Sequence, residues 1–388
     1  VTGNIWVKQV GNMGNRALQY LAAAGIALHA PGANIQNISL WEWGTKDSQP
    51  EPPLRNTIRF EHSFWLDVAG LGDCLQRRVV ESIILGGHPY HLENYPPRAA
   101  ARRLIGPTTG GTDATGFGPH QLVCSVRGAE ILHAPHPDYL LLPPAYYESL
   151  AARSGLELVF FGQIGTDPFS ESLKRKFPGA QFIQGRTREY DFDTLRRSAN
   201  IAPSVSTFAW LAAWLSEAER IFLPVCGIFS PVQLPQGMFL PLDQPEYEYT
   251  LFPFSKAVSP LNQPVQFALA QENLARLARP ASAQELGEIY QRAKAFWPAL
   301  PLCGGFDAAF YEARNPDVAA AVAGGVPSAL QHYMYAGYLE GRRPLELDDK
   351  FYLAMYPEAA MALAEGRFAG PLQHYQTVGH ARGYRPTP

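Results

Sequence analysis

From residue 121 to residue 225 short apolar runs alternate with amphipathic stretches of helical period, and no other feature of this chain restricts its fold as much. The runs Gln121 to Val126, Leu156 to Phe161, Ala180 to Ile183, Asn200 to Pro203 and Arg220 to Pro224 read as strands. Between them Pro144 to Arg153, Pro168 to Lys176, Phe192 to Arg197 and Thr207 to Ser216 read as helices. A strand, a crossover helix and a further strand, repeated, predict a parallel sheet covered by helices on both faces. Such sheets bind ligands at the carboxyl ends of their strands.

Ahead of this region Ile5 to Val10 reads as a strand, followed by the turn Gly11-Asn12-Met13-Gly14-Asn15 and a helix from Arg16 to about Gly25. Together they open a second α/β unit, and 388 residues at ~150 per domain suit two or three domains. Beyond residue 225, Pro231, Pro235, Pro241, Pro245, Pro253, Pro260 and Pro264 disfavour helices and central strands, so an extended, aromatic-rich loop is predicted there. Ser282 and Glu285 then form a capping box for a helix with Leu286, Ile289, Tyr290, Ala293, Phe296 and Trp297 on one face.

The C-terminal part is duplicated. Phe310-Tyr311, Pro316, Gln331-His332-Tyr333, Gly337, Gly341 and Pro344 recur as Phe351-Tyr352, Pro357, Gln373-His374-Tyr375, Gly379, Gly383 and Pro386, at an offset of 41 and then 42 residues. A period near 40 marks a repeated supersecondary unit. Each copy reads as a helical hairpin, with a helix from Ala308 to Arg314, a Pro break, an Ala-rich turn and a helix from Ala329 to Ala336 ending at Gly337. The two copies are predicted to pack together, and His332 and His374 to pack beside Tyr333 and Tyr375 rather than hold a metal. The expected organisation is therefore 1–118, an N-terminal α/β domain on the acceptor side; 119–280, a Rossmann-like domain; 281–303, a linking helix; and 304–388, a two-repeat helical domain.

Composition narrows the function. Hydrophobic residues at 46% and charged residues at 17% exclude a disordered chain. Lys and Arg total 32 against 35 Asp and Glu, a balance of −3 that argues against a nucleic-acid partner and leaves room for a local anion pocket. Cys74, Cys124, Cys226 and Cys303 lack zinc-ligand spacing and read as buried free thiols, which suits a reducing cytoplasm. No apolar run approaches the ~20 residues that span a bilayer. The chain is expected to be soluble, and because it opens on Val1 an upstream leader stays open.

Three segments carry candidate chemistry. The Gly11 to Asn15 turn brings backbone N–H groups to a helix N-terminus, where they attract an anion or simply form a tight turn. Arg127 follows a strand directly, at the sheet edge where its fork can hold two phosphate oxygens; a surface ion pair with Glu130 is the competing reading. Ser204, Ser206 and Thr207 sit between a strand and a helix, placed to cap that helix or to donate to a phosphate, while Trp210 and Trp214 read as core.

These segments together resemble a family. Gly11-Asn12-Met13-Gly14-Asn15-Arg16-Ala17-Leu18-Gln19-Tyr20 is similar to the opening of bacterial α-1,2-fucosyltransferases, Gly-Gly-Leu-Gly-Asn-Gln-Met-Phe-Gln-Tyr. Val126-Arg127-Gly128-Ala129-Glu130-Ile131 resembles their Val-Arg-Arg-Gly-Asp-Tyr, and Ser204-Val205-Ser206-Thr207-Phe208-Ala209-Trp210 their Ser-x-Ser-Thr-Phe-Ser-Trp-Trp. The resemblance spans about residues 1 to 230 in three islands, with Gly128, Glu130 and Arg16 as departures. It implies a GT-B-like glycosyltransferase, with two Rossmann-like domains facing a cleft, inverting the transferred sugar without an essential metal or cofactor.

On this resemblance the donor is a GDP-sugar, GDP-fucose first. Arg127 would hold the pyrophosphate, Ser206 and Thr207 a phosphate, and Gly14 and Asn15 would approach the donor, with Asn12, Ser204 and Phe208 in the same set. Glu130 is the first candidate for the base that takes the acceptor proton, with Glu42, Asp138, His29 and His136 as further candidates. The acceptor would be a glycan, a lipid-linked glycan or a protein, in the cytoplasm or at the periphery of the inner membrane. The repeats resemble units appended to bacterial glycosyltransferases and large surface proteins, which leaves self-association through them open. Two other readings stand beside this one: a non-catalytic glycan-binding or assembly protein using the repeats, and a pyruvyl-type transferase on a similar scaffold.

Overall fold

Residues 3–128, 131–132, 138–234, 236–254, 276–295 and 301–388 are described by a computed structural model of the chain. The Asn-Ile-Trp-Val stretch Asn4–Val7 forms the first strand and is shorter than the predicted Ile5 to Val10, because Gly11 turns the chain at φ 78° and the helix starts early, at Met13–Leu28. This strand lies inside a four-stranded sheet in the spatial order Asn34–Gln36, Asn4–Val7, Ser82–Leu85, Thr57–Phe60. All its neighbours pair in parallel.

The second sheet has seven strands. Its spatial order is Arg279–Ala281, Tyr247–Leu251, Arg220–Val225, Asn200–Ala202, Gln121–Val126, Glu157–Gly162, Gln181–Gln184. Only Arg279–Ala281 runs antiparallel. From Gln121–Val126 the chain first adds strands on one side, then crosses to the other with Asn200–Ala202. The crevice between those two strands is the topological switch point, where an open α/β sheet receives its ligand. Two Rossmann-like units thus face a cleft, the GT-B-like arrangement.

Within the region predicted as a loop, Tyr247–Leu251 is an internal strand of this sheet. Pro245 and Pro253 flank it without entering it, so the strand keeps all of its own N–H donors. Residues 255–275 of the same stretch, and Phe296 and Trp297 of the expected helical face, lie outside the described residues. The helix itself is Ala283–Lys294, with Ser282 accepting from the Glu285 backbone N–H at 3.1 Å and Leu286 and Tyr290 buried. Trp210 and Trp214 stack at 5.4 Å in the core. Arg98 closes the carboxyl end of the Thr207–Trp214 helix by donating to the carbonyls of Trp214 and Ser216. All four cysteines are buried and free.

Each repeat holds three helices rather than a hairpin. They are Ala308–Arg314, Pro316–Ala323 and Ala329–His332 in the first copy, and Asp349–Met355, Pro357–Ala364 and Pro371–His374 in the second. The Ala-rich stretch expected as a turn is helical, since Pro at a first helical position gives up no hydrogen bond. A π turn follows in each copy, at Tyr333–Gly337 and Tyr375–Gly379. The histidines pair with tyrosines: Tyr311 with His332 Nδ1 at 3.1 Å, and Tyr352 with His374 Nδ1 at 2.8 Å. Gly337 and Gly379 are needed because a Cβ at either would overlap the Tyr311 or Tyr352 hydroxyl.

The first repeat closes the edge of the four-stranded sheet. Ser328 donates to the Thr57 carbonyl at 3.0 Å, the Arg59 N–H donates to Gln331 at 2.7 Å, and Tyr335 donates to the Arg59 carbonyl at 2.7 Å. Its apolar side chains continue the main core, whereas Leu345, Leu347, Tyr352, Ala359 and Tyr375 of the second repeat form a small core of their own. The second repeat docks through His380, whose Nε2 lies 2.8 Å from Asp73. Burial pushes the Asp73 carboxyl up, but hydrogen bonds from His380 and Arg77 outweigh it and hold it at about 2. Among the described residues no helix is long and apolar enough to cross a membrane.

Candidate functional site

A cleft of about 460 Å³ opens between the two units at the switch point. Three segments meet there. Gly14 presses against the start of the Thr207–Trp214 helix so closely that a Cβ would lie 2.7 Å from the Phe208 nitrogen. The two helix N-termini therefore point into one hollow, and Asn12 makes no side-chain cap on the first, which leaves its first-turn N–H groups to the cleft. Asn15 Oδ1 accepts from Thr207 Oγ1 at 2.8 Å and from the Tyr90 hydroxyl at 2.9 Å. Burial pushes the Tyr90 phenol up, so it stays a donor.

Among the described residues three arginines line the cleft, Arg127, Arg186 and Arg188, against the single carboxylate Asp191. Arg127 comes from the end of the Gln121–Val126 strand and stacks over the Tyr139 ring at 4.5 Å. Arg186 stacks over Tyr190 at 4.3 Å. Arg188 reaches across to the other unit, 4.9 Å over the Trp41 ring and 3.8 Å from Glu42. A polar floor joins the strand ends: Ser125 Oγ lies 3.2 Å from Ser204 Oγ, and Ser204 Oγ 3.3 Å from Ser206 Oγ. Ser206 also caps its helix, accepting from the Ala209 N–H at 3.1 Å. The surplus of positive groups and oriented N–H donors suits a ligand carrying two phosphates.

Every residue expected at the donor gathers here: Asn12, Gly14, Asn15, Arg127, Ser204, Ser206, Thr207 and Phe208 all line the cleft. Glu130 and His136 lie outside the described residues. His29 does not come near: it caps the far end of the Met13–Leu28 helix, roughly 24 Å away at about 1.5 Å per residue. Glu42 is not among the residues that line the cleft. It is buried beside the cleft and held by Arg16, with its second oxygen free of any hydrogen bond. Asp138 turns its carboxylate to Gln233 Nε2 at 3.4 Å.

Other cleft residues escape the sequence reading. Gln163 follows the Glu157–Gly162 strand and Gln184 ends the Gln181–Gln184 strand, and the rule that ligands gather at carboxyl strand ends picks them out. Asp191-Phe192-Asp193 is an Asp-x-Asp tripeptide, but it sits on the Arg188–Arg196 helix, where residues two apart face different sides. Asp191 lines the cleft, its carboxyl raised by burial, while Asp193 accepts from Thr108 at 2.8 Å in the core. Among the described residues no group of three or more His, Cys, Asp or Glu could hold a metal ion.

No family model matches the chain, and no curated protein matches it in sequence. Several solved structures are similar in shape. A mutant of FUT1 from Arabidopsis thaliana in complex with GDP matches at TM-score 0.40 and 11% identity over 57% of this chain and 70% of its own. The E. coli heptosyltransferase WaaC with ADP matches at 0.37 and 11%, over 75% and 99%. A glycosyl transferase of family 9 from Veillonella parvula matches at 0.36 and 10%, over 76% and 98%. At these scores the likenesses add nothing to the reading of the site, which stands on the sheets and the cleft.

Proposed function

We propose that the chain is a glycosyltransferase whose cleft holds a nucleoside diphosphate sugar, with a GDP-sugar and fucose as the first choice of donor. The observation that carries this is the meeting of Arg127, the Ser204–Ser206 floor and two helix N-termini at one switch point. In the reaction an acceptor hydroxyl attacks the anomeric carbon, the bond from that carbon to the diphosphate oxygen breaks, and the diphosphate leaves with the bonding pair. The charge that builds on the leaving group is what Arg127 and the fixed N–H donors would stabilise, in place before the reaction begins. Glu130 is the proposed acceptor of the proton, and attack from the face opposite the diphosphate inverts the anomeric centre.

The test is a thermal-shift screen of the full chain against GDP, UDP, CMP and dTDP, followed by calorimetry on the best ligand. GDP should raise the melting temperature most. Arg127→Ala should abolish most of the shift, and an unchanged shift in that variant overturns the assignment.

A further inference from the structure

A second hollow lies at the seam between the first repeat and the four-stranded sheet. Two adjoining cavities of about 390 and 220 Å³ share Ser63 and Tyr335 and form one trough. Its wall on the repeat side is Met334, Tyr335, Tyr338 and Leu339, and on the sheet side Phe60 and Trp65. Tyr335 is 48% exposed and Leu339 72% exposed, so the trough is open.

Comparison of the two repeats separates these side chains from the residues that both copies share. The residues that build the unit recur in both copies: Tyr311, His332, Tyr333 and Gly337 match Tyr352, His374, Tyr375 and Gly379. The trough positions do not. Met334, Tyr335, Tyr338 and Leu339 correspond to Gln376, Thr377, His380 and Ala381. Only the copy that borders the trough carries phenol rings and a large aliphatic side chain there.

The location ties the trough to the cleft. Glu61 to Asp67 follow the Thr57–Phe60 strand at its carboxyl end, the same sheet edge at which Gly11 to Asn15 follow Asn4–Val7. Those strands are two places apart, ~10 Å at the usual strand spacing. Phe64 stacks on Tyr90 at 5.8 Å, and Tyr90 donates to Asn15 in the cleft. The chemistry is a mixture of rings, Tyr335 exposed and Trp65 and Tyr338 half-buried, with the planar polar groups Glu61, Gln331 and Arg59. Rings cover the C–H faces of a pyranose, and planar polar groups meet neighbouring hydroxyls two at a time. Arg59 and Lys8 are bonded to Glu51 and Glu61, and Asp67 adds a further carboxylate to the lining, so an anionic ligand gains nothing.

We propose that this trough binds a neutral saccharide chain, the extension of an acceptor whose terminal residue reaches the cleft. The link to the cleft rests on the glycosyltransferase reading, whereas saccharide binding itself does not. The experiment compares the full-length chain with a variant carrying the second repeat's residues, Met334→Gln, Tyr335→Thr and Leu339→Ala. Saturation-transfer NMR and calorimetry use a panel of neutral tetrasaccharides built on glucose, galactose, mannose or xylose, and GDP is titrated separately.

At least one tetrasaccharide should bind the parent chain, with the variant binding it about tenfold or more weakly while GDP affinity is unchanged. Leu339→Ala alone, at an exposed position, should weaken it in the same direction and serves if the triple variant melts early. No binding of any tetrasaccharide by the parent, or equal binding by the variants, overturns the proposal. Saccharide binding without nucleotide binding leaves the trough standing and removes the donor assignment.

Discussion

Gly14 is the point where the two units touch most closely, and Gly14→Ala probes whether that contact serves the ligand. The added methyl would lie 2.7 Å from the Phe208 nitrogen and 2.9 Å from the Thr207 carbonyl carbon and Oγ1. Comfortable contacts begin near 3.5 Å. The two helix starts must therefore separate by roughly 0.6–0.8 Å, since backbone atoms, not a pliable side chain, stand in the way. Overpacking of this kind costs about 1–3 kcal/mol. The separation also stretches the Thr207 to Asn15 hydrogen bond from 2.8 Å to the edge of the useful range. A diphosphate gripped from both helices then loses alignment on one side. With about 1.4 kcal/mol to each factor of ten, GDP affinity should fall at least about tenfold, with a lower melting temperature. Isothermal calorimetry with GDP reads the first effect and a thermal melt the second. Gly128→Ala is the control, because among the described residues its methyl meets only the Phe169 ring edge at 3.3 Å. If Gly14→Ala is folded and binds GDP as tightly as the parent, the two helix N-termini do not share a ligand.

Further outcomes follow from the same contacts. His91 is 1% exposed and hydrogen-bonds Tyr290 at 2.9 Å, and burial lowers its pKa from 6.5 to about 4. Its contribution to stability is therefore intact above pH 6.5 and lost as the pH falls toward 4, by ~3 kcal/mol at 1.36 kcal/mol per unit. Urea titrations at pH 7 and 4.5 should show His91→Gln losing much less than the parent; parallel losses would contradict this. The Asp73 carboxylate, depressed from 3.8 to about 2, acts in a lower window: its contribution is present above 3.8 and disappears toward 2. Asp73→Asn should flatten stability there, read by urea titrations between pH 2 and 4.5. Removal of 304–388 should yield a chain that aggregates on size-exclusion chromatography, because the Thr57–Phe60 edge is bared. A monodisperse truncate with normal GDP binding would refute the view that the repeat completes the sheet.

The inner strands Gln121–Val126, Glu157–Gly162, Asn200–Ala202 and Arg220–Val225 of the second sheet were legible because they are largely buried and read as apolar runs. Gln121–Val126 and the Pro144–Ser154 and Pro168–Lys176 helices fall where the alternation places them. The Arg188–Arg196 helix starts earlier than its apolar pattern, since Arg188 to Asp191 are polar and only the Thr187 cap marks the start. The first sheet was mostly hidden: Asn34–Gln36, Thr57–Phe60 and Ser82–Leu85 are three or four residues each, separated by Gly- and Pro-rich turns. At the cleft, the residues of the three islands are adjacent to turns and could be picked out locally. Arg186, Arg188 and Trp41 could not, because their neighbours are decided by sheet order and by the packing of one unit on the other.

The bond between the Ser328 hydroxyl and the Thr57 carbonyl joins residues 271 positions apart. Ribosomes add roughly 5–20 residues per second, so the outermost strand of the amino-terminal unit waits on the order of 15–55 s for its cover. During synthesis that unit is a half-finished surface, with its hydrogen-bonding rim presented to any passing strand. Its assembly is thus timed by the tail of the polypeptide, and any delay or early stop in translation leaves behind a sticky remnant rather than a smaller working protein.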